Sequence, residues 1–229
     1  MARVLVAIPW RAQPDRVYAH EIVTAHYRRI LPDADIIDVD TDHDPFNRAA
    51  ARNRAVRIAE NSGYDVVVIG DADTLPEAAP LREAIEAAPT ETRIRLPYTE
   101  YRSLRADGTR QYLTGTPLPD CNHLTVNVAC SGVLVTTPAT WWTCGGQDER
   151  MAVWSPEDIA LLVAHRTLLG AEFARHNGRV YSLHHNAPQR PGLEYDAAVE
   201  LYHRYLDAAG DPVAMRELIA ERAATPPLA

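Results

Sequence analysis

An α/β protein with a mostly parallel central sheet and helices on both faces is the fold class the sequence predicts, on three observations. The first hundred residues alternate short apolar runs with helical patterns in the order βαβαβα, as a doubly wound sheet requires. One of these runs, at positions 66–69, is wholly apolar and reads as a central strand buried on both faces. It leads into two carboxylates, Asp71 and Asp73, at the carboxyl edge where open α/β sheets place their ligands.

The elements follow in order. Residues 3–9 read as a first strand, and 15–30 as a helix, with Val17, Ile22, Val23, Tyr27 and Ile30 roughly in phase. A short second strand over 36–39 precedes the acidic turn DVDTDHDP. Residues 46–60 are Ala-rich, with Pro45 before them and Asn61, Ser62 and Gly63 behind, so a helix is expected there. The strand at 65–70 runs into the DAD turn, and a helix over 77–88 closes at Pro89. Residues 93–98 look like another strand. The stretch 102–125, punctuated by Gly108, Gly115, Pro117 and Pro119, reads as a long loop or β-excursion. Strand character returns over 126–137, and a short helix begins at Pro138. After the turn CGGQDER, Ser155 or Pro156 opens a helix whose acidic first turn suits the helix dipole and whose stop is Gly170. A last strand over 179–183 ends at His184 and His185, and one or two amphipathic helices occupy 194–223.

The bulk composition narrows the function classes. With 229 residues and 46% apolar content, one large α/β domain is the expectation. No apolar stretch approaches the roughly 20 residues that cross a bilayer, and the amino-terminal strand lacks a signal-peptide pattern, so a soluble, cytoplasmic protein is expected. Cys121, Cys130 and Cys144 are odd in number and widely spaced, which argues against a disulfide framework or a zinc site. A net charge of −8 argues against broad nucleic-acid binding, though not against a local basic groove. All 23 basic residues are arginine, a compositional bias more than a mechanism.

Four groups of residues carry chemistry. Asp71 and Asp73, two positions apart at a strand end, can face one ligand and suit Mg²⁺ or Mn²⁺. Asp-x-Asp recurs at Asp33/Asp35, Asp38/Asp40, Asp40/Asp42 and Asp42/Asp44, so its strand context is what distinguishes this pair. The second group is Gly145 and Gly146, where a ligand could approach the backbone, Trp154, which could stack on a sugar face, and Glu157 with Asp158, one of which could act as base. Adjacent acids at a helix start are also what the dipole alone favours. The third is the His184-His185 pair, whose imidazoles with carboxylate and diphosphate oxygens suit Mn²⁺. The fourth gathers Pro9, Trp10, Arg11, Asp40, Phe46, Asn47 and Arg48 as a nucleotide pocket, with Asp40 or Asn47 at base or ribose and Arg11 or Arg48 at phosphate. No P-loop and no GxGxxG follows the first strand, so ATP-type and dinucleotide cofactors are disfavoured.

Read in order, IPWR, FNRAAARN, DAD, SGVLVTT, GGQDER, WSPED and LHH resemble the metal-dependent GT-A glycosyltransferases with a galactosyltransferase-type carboxyl half, including chondroitin-polymerase-like bacterial and phage enzymes. The resemblance spans roughly residues 3–186. It implies a single GT-A catalytic domain over 1–190, divided into a nucleotide-sugar half (1–100) and an acceptor half (101–190), with 191–229 as a helical extension. It further implies Mn²⁺ or Mg²⁺ held by Asp73, with His185 or His184 and Asp71, and a UDP-sugar donor met by Arg52, Ala72 and the fourth group above. Asp71 would reach the ribose or donor sugar, Asp158 would be the base of an inverting transfer, and Glu157 would hold the acceptor. Departures are visible: the family's W-G-x-E-D is WSPED here, and Ser182 stands at the first histidine of its H-x-x-H ending.

The acceptor is left open between a glycan, a protein and, as in phage relatives, hydroxymethylated pyrimidine DNA in an infected bacterial cell. The arginine- and tyrosine-rich stretch 93–110 would suit the DNA reading or be an ordinary solvated loop. The competing classes are a sugar-nucleotidyltransferase, which would carry a Gly-rich loop where AIPWRAQPDR stands, and a non-catalytic nucleotide-sugar-binding module. No obligate protein partner is evident.

Overall fold

A computed structural model of the protein describes residues 2–152, 155–185 and 192–224. Its central sheet has the order β2-β1-β3-β8-β5-β9, built from β1 (Val4–Pro9), β2 (Asp35–Val39), β3 (Val66–Gly70), β5 (Arg95–Leu96), β8 (Val133–Thr136) and β9 (Ala174–Arg175). β1 pairs in parallel with β2 on one side and β3 on the other. Every residue of β3 is buried, as its uninterrupted apolar pattern demands. Beyond β3 the direction changes: β8 runs antiparallel to both β3 and β5, and β9 joins β5 in parallel.

The helices α1 (Val17–Ile30), α2 (Arg48–Asn61) and α3 (Ala78–Ala87) supply the crossovers. α2 starts where Asn47 accepts a hydrogen bond from Ala50 N at 2.9 Å, and its run of alanines lets it lie close against β1, β2 and β3. Gly70, the last residue of β3, has no room for a side chain because the buried ring of Tyr27 from α1 occupies the position of a Cβ.

A second sheet, unforeseen in the sequence, has the order β4-β10-β6-β7: β4 (Thr74–Pro76), β6 (Glu100–Ser103), β7 (Leu124–Val126) and β10 (Arg179–Ser182). β4 begins directly after the DAD turn and pairs antiparallel with β10, with Thr74 opposite Ser182. The final strand is therefore not one of the parallel strands of the central sheet, as its sequence position suggested. It reaches the DAD turn through the smaller sheet.

Two further departures have local causes. The stretch expected as a loop contains a helix, α4 (Arg105–Leu113), in which Gly108 sits where the carbonyl of Asn122 crosses too closely for any side chain. A glycine required by packing reads in sequence as a helix breaker. The strand expected over 126–137 is two, β7 and β8, because the chain turns at Gly132 with φ +86°.

α5 (Pro138–Thr143) is capped by Thr137, whose Oγ1 accepts from Thr140 N at 3.1 Å. α6 (Glu157–Leu169) ends at Gly170 in the left-handed conformation, φ +67°. The tail forms α7 (Leu193–Asp207) and α8 (Pro212–Ala224), which share an apolar cluster of their own with α6: Met151, Ala160, Val163, Leu201, Met215 and Leu218. No described helix is long and apolar enough to cross a membrane.

Candidate functional site

The site forms at the carboxyl edge of β1, β2 and β3, where α2, the DAD turn, the start of α6 and the end of β10 converge. At its centre is Arg52, on the inward face of α2 and 1% exposed. Its Nη2 donates to Asp71 Oδ1 at 2.6 Å, and its Nη1 donates to Asp158 Oδ1 and, at 3.2 Å, to Gln147 Oε1. Burial alone would lower the affinity of this guanidinium for its proton. The carboxylates of Asp158, Asp71 and Glu157 outweigh that and raise it, so Arg52 is a permanent cation. One arginine thus ties the DAD turn to the start of α6.

Asp158 also accepts from Gln147 Nε2 at 2.8 Å. Among the described residues, every hydrogen bond it receives falls on Oδ1. Its neighbour Glu157 is oriented differently. Glu157 is 1% exposed, its Oε1 receives Arg48 Nε at 2.6 Å and its Oε2 receives Ser155 Oγ at 3.0 Å. Burial and the nearby Asp158 charge push the Glu157 carboxyl above the usual range, against the pull of Arg48 and Arg52. With both oxygens engaged inside the protein, Glu157 anchors Arg48, whose side chain stays partly exposed.

Asp73 lies on the other side of the DAD turn. Its Oδ2 is 2.8 Å from His185 Nε2 and 3.6 Å from Arg16 Nη2. The β4–β10 pairing creates this contact: Leu183 N donates to Asp73 O at 2.8 Å, continuing the ladder past Ser182 and carrying His185 alongside. His184 is exposed and is held by its backbone, its N donating to Thr109 Oγ1 at 2.8 Å and its carbonyl accepting from the Tyr18 hydroxyl. Of the two histidines, His185 is the one at Asp73. Ala72, between the two acids, is buried.

The residues expected around a nucleotide divide into two sets. Arg11 grips Asp40 through Nε, at 2.9 and 3.1 Å to the two oxygens, and lies 5.5 Å from the centre of the Phe46 ring. Hydrogen bonding from Arg11 holds the Asp40 carboxyl below its usual range. Trp10, following Pro9 at the end of β1, stacks on His20 at 4.4 Å. These residues stand together. Asn47 does not join them: it is buried as the cap of α2, with its Nδ2 donating to Glu149 O at 2.7 Å. Arg52 is likewise bound to three internal groups, Asp71, Asp158 and Gln147.

Gly145 and Gly146 are crowded on the side a Cβ would take. Both have positive φ, and a Cβ on Gly145 would lie 2.8 Å from Ile219 of α8, while one on Gly146 would meet Asn53 Oδ1 at 2.7 Å. The turn is glycine-rich because the protein's own side chains crowd it. Trp154 lies outside the described residues.

Several contributors gave little sign in the sequence. Gln147 and Asp148 sit within GGQDER without an evident role there. Asp148 is buried and bound by Arg150 Nη2 and Tyr205 OH, both at 2.8 Å, with Arg222 Nε at 3.2 Å. Burial pushes its carboxyl up, but these partners more than offset that and hold it below the usual range. Arg222 of α8 also donates to Gly145 O at 2.6 Å and Gln147 O at 3.2 Å, so the helical tail braces the turn that positions Asp158. All three cysteines are free and buried, and burial pushes Cys130 and Cys144 up to about 12.

Comparison with known proteins places the fold. No family model matches the sequence, and no curated protein matches it. Among solved structures, the catalytic domain of Drosophila beta-1,4-galactosyltransferase 7 in complex with xylobiose is similar, with 15% identity, 90% of this chain and 81% of that one covered, and a TM-score of 0.56. A mutant of that Drosophila enzyme in complex with manganese, UDP-Gal and xylobiose aligns over 81% of this chain and 72% of its own, at 15% identity and a TM-score of 0.50. GalNAc-T7 with UDP, GalNAc and Mn²⁺ aligns over 97% of this chain and 54% of its own, at 10% identity and a TM-score of 0.54. The chain has the GT-A fold of these glycosyltransferase domains, as its motif order implied.

Proposed function

We propose that the protein is a metal-dependent glycosyltransferase that moves a sugar from a nucleotide-diphosphate sugar, a UDP-sugar foremost, to an acceptor hydroxyl with inversion. The observation that carries this reading is the Asp73–His185 pair at 2.8 Å, set beside the Arg52-bound pair Asp71 and Asp158 on a GT-A framework. Two of the similar structures were solved with manganese and with UDP-Gal or UDP, which supports the same donor class here.

The donor set of Asp73 and His185 suits Mn²⁺: one carboxylate oxygen and one imidazole nitrogen already side by side. Among the described residues, no group of three or more acids, histidines or cysteines could hold an ion. Diphosphate oxygens and water would therefore complete the coordination, as is usual for ions that work on phosphates. Such a cation, when bound, offsets the charge of the departing diphosphate.

The protein's own residues do the rest. Asp158 accepts the proton of the acceptor hydroxyl as that oxygen bonds to the anomeric carbon and the bond to the diphosphate breaks. Arg52 and Gln147 fix its Oδ1, which orients Oδ2 for the proton, a contribution of about 10²–10⁴-fold for a placed base. Trp10, Arg11 and Phe46 line the nucleotide end. Residues 1–190 form the catalytic unit in this reading, and 191–229 brace it.

The charge pairing of the 93–110 stretch favours a small or glycan acceptor over DNA. Arg93 and Arg95 bind Glu91, and Arg102 binds Glu100, so three of its arginines are already matched. The test is a panel of UDP-, GDP- and dTDP-sugars incubated with Mn²⁺ and scored for nucleotide release with and without chelator. Release from one UDP-sugar, lost with chelator and in Asp73→Ala, supports the reading; release unaffected by either refutes it.

A further inference from the structure

Next to the site lies a cavity that the proposed chemistry does not use. It is a half-open recess of about 290 Å³ between the edge of the central sheet and the last two strands of the smaller one, lined by Tyr98, Thr99, Tyr101, Val126, Val128 and the exposed Arg175. Tyr101 connects it to the DAD turn. Its ring packs on Gly132, where a Cβ would stand 2.9 Å from Tyr101 Cε2, and Gly132 O receives Asp71 N at 2.8 Å. The cavity is thus one side chain away from the carboxylates of the site.

Arg175 is its chemical signature. The guanidinium is held by Ala129 O at 2.6 Å and lies 5.6 Å from the centre of the Tyr98 ring. Among the described residues, no carboxylate lies within 4.0 Å of its nitrogens, whereas neighbouring Arg95, Arg102 and Arg179 are all ion-paired. A cation fixed in position and left without an acid is prepared for an anion from outside. The rim opposite is apolar and strained: Val128 is 87% exposed and has φ +59°, a conformation that a β-branched residue adopts only under constraint. Strain of this kind concentrates at ligand sites.

We propose that this cavity receives the acceptor's sugar ring and that Arg175 selects acceptors bearing an anionic group on that ring, a carboxylate in the first instance. The proposal rests on the glycosyltransferase reading for the word acceptor, though the cavity's preference is measurable without turnover. Its volume of about 290 Å³ admits one hexose ring with a charged substituent.

The experiment compares binding of 4-nitrophenyl β-D-glucuronide and 4-nitrophenyl β-D-glucoside, which differ at C6 by carboxylate against hydroxymethyl, using calorimetry and saturation-transfer NMR on the whole protein. The expected result is at least tenfold tighter binding of the glucuronide, a preference abolished in Arg175→Gln while the glucoside is bound as before and the Tm is kept. Equal affinity for the two, no binding of either, or a preference that persists in Arg175→Gln overturns the proposal. Metal-dependent release of UDP from sugar donors, measured separately, reports on the glycosyltransferase reading alone, so the two can fail independently.

Discussion

Arg52 and Asp71 are joined by a 2.6 Å hydrogen bond under the carboxyl edge of the sheet, while the other arm of the same guanidinium holds Asp158. Arg52→Ala would leave these two acids and Glu157 facing one another without their shared cation. Loss of one member of a buried charge network costs about 3 kcal/mol or more. Urea denaturation should show that loss. Arg52→Lys should recover only part of it, because an ammonium cannot span two carboxylates as a planar fork does.

Asp73→Ala and His185→Ala should each abolish tight Mn²⁺ binding in the presence of UDP while leaving the circular dichroism spectrum unchanged. Manganese EPR reads this directly, since free and bound ion differ in signal. Unaltered titrations in both variants would remove these residues from the metal site.

A buried histidine gives the protein a pH dependence. His165 is 0% exposed, its Nε2 accepting from Ile94 N and its Nδ1 donating to Ala171 O, and burial holds its pKa down at about 4. The unfolded chain protonates this ring near pH 6.5, so it takes up the proton first as pH falls. Stability from the neutral ring is complete above that value and declines between about 6.5 and 4, by at most about 1.4 kcal/mol per pH unit. His165→Gln, which retains one donor and one acceptor, should flatten the stability profile across that window.

Gly146 and Gly170 share a φ of +67°, but only Gly146 is crowded, by Asn53 and Trp141. Alanine at Gly170 should cost about 1 kcal/mol for its backbone alone. Alanine at Gly146 should cost about 1–3 kcal/mol more and reduce turnover, because Asn53 also fixes the backbone of Gln147. Thermal melts and donor-turnover assays on the two variants separate the effects.

The parallel half of the fold was readable from local pattern: β1, β2, β3 and their helices follow apolar periodicity and caps, and the DAD turn falls where β3 ends. The smaller sheet was not, because its strands are three or four residues long and pair across large separations in sequence, leaving no local period to read. The same difference runs through the site. Asp73 and His185 were both singled out, but what brings them together is a strand pairing no window contains. Arg48 was read as a phosphate contact from residue type and place in the chain, and Arg52 and Glu157 as ligand contacts from the family resemblance. In the structure Arg48 binds Glu157 while Arg52 binds Asp71, Asp158 and Gln147, an arrangement set by how α2 packs against the start of α6. Gly145 and Gly146 were read for openness, when the space a side chain would take is filled by α8 at Gly145 and by α2 and α5 at Gly146.

The antiparallel pairing of β4 with β10 has a consequence for the order in which the molecule is made. Asp73 emerges early in synthesis, with β1, β2, β3 and the helices between them able to pair locally behind it. His185 arrives only after both edges of the smaller sheet and α6 have been produced, and closing so long a loop is a late, slow event. A nascent or truncated chain could therefore pack its first strands and still lack the Asp73–His185 pair.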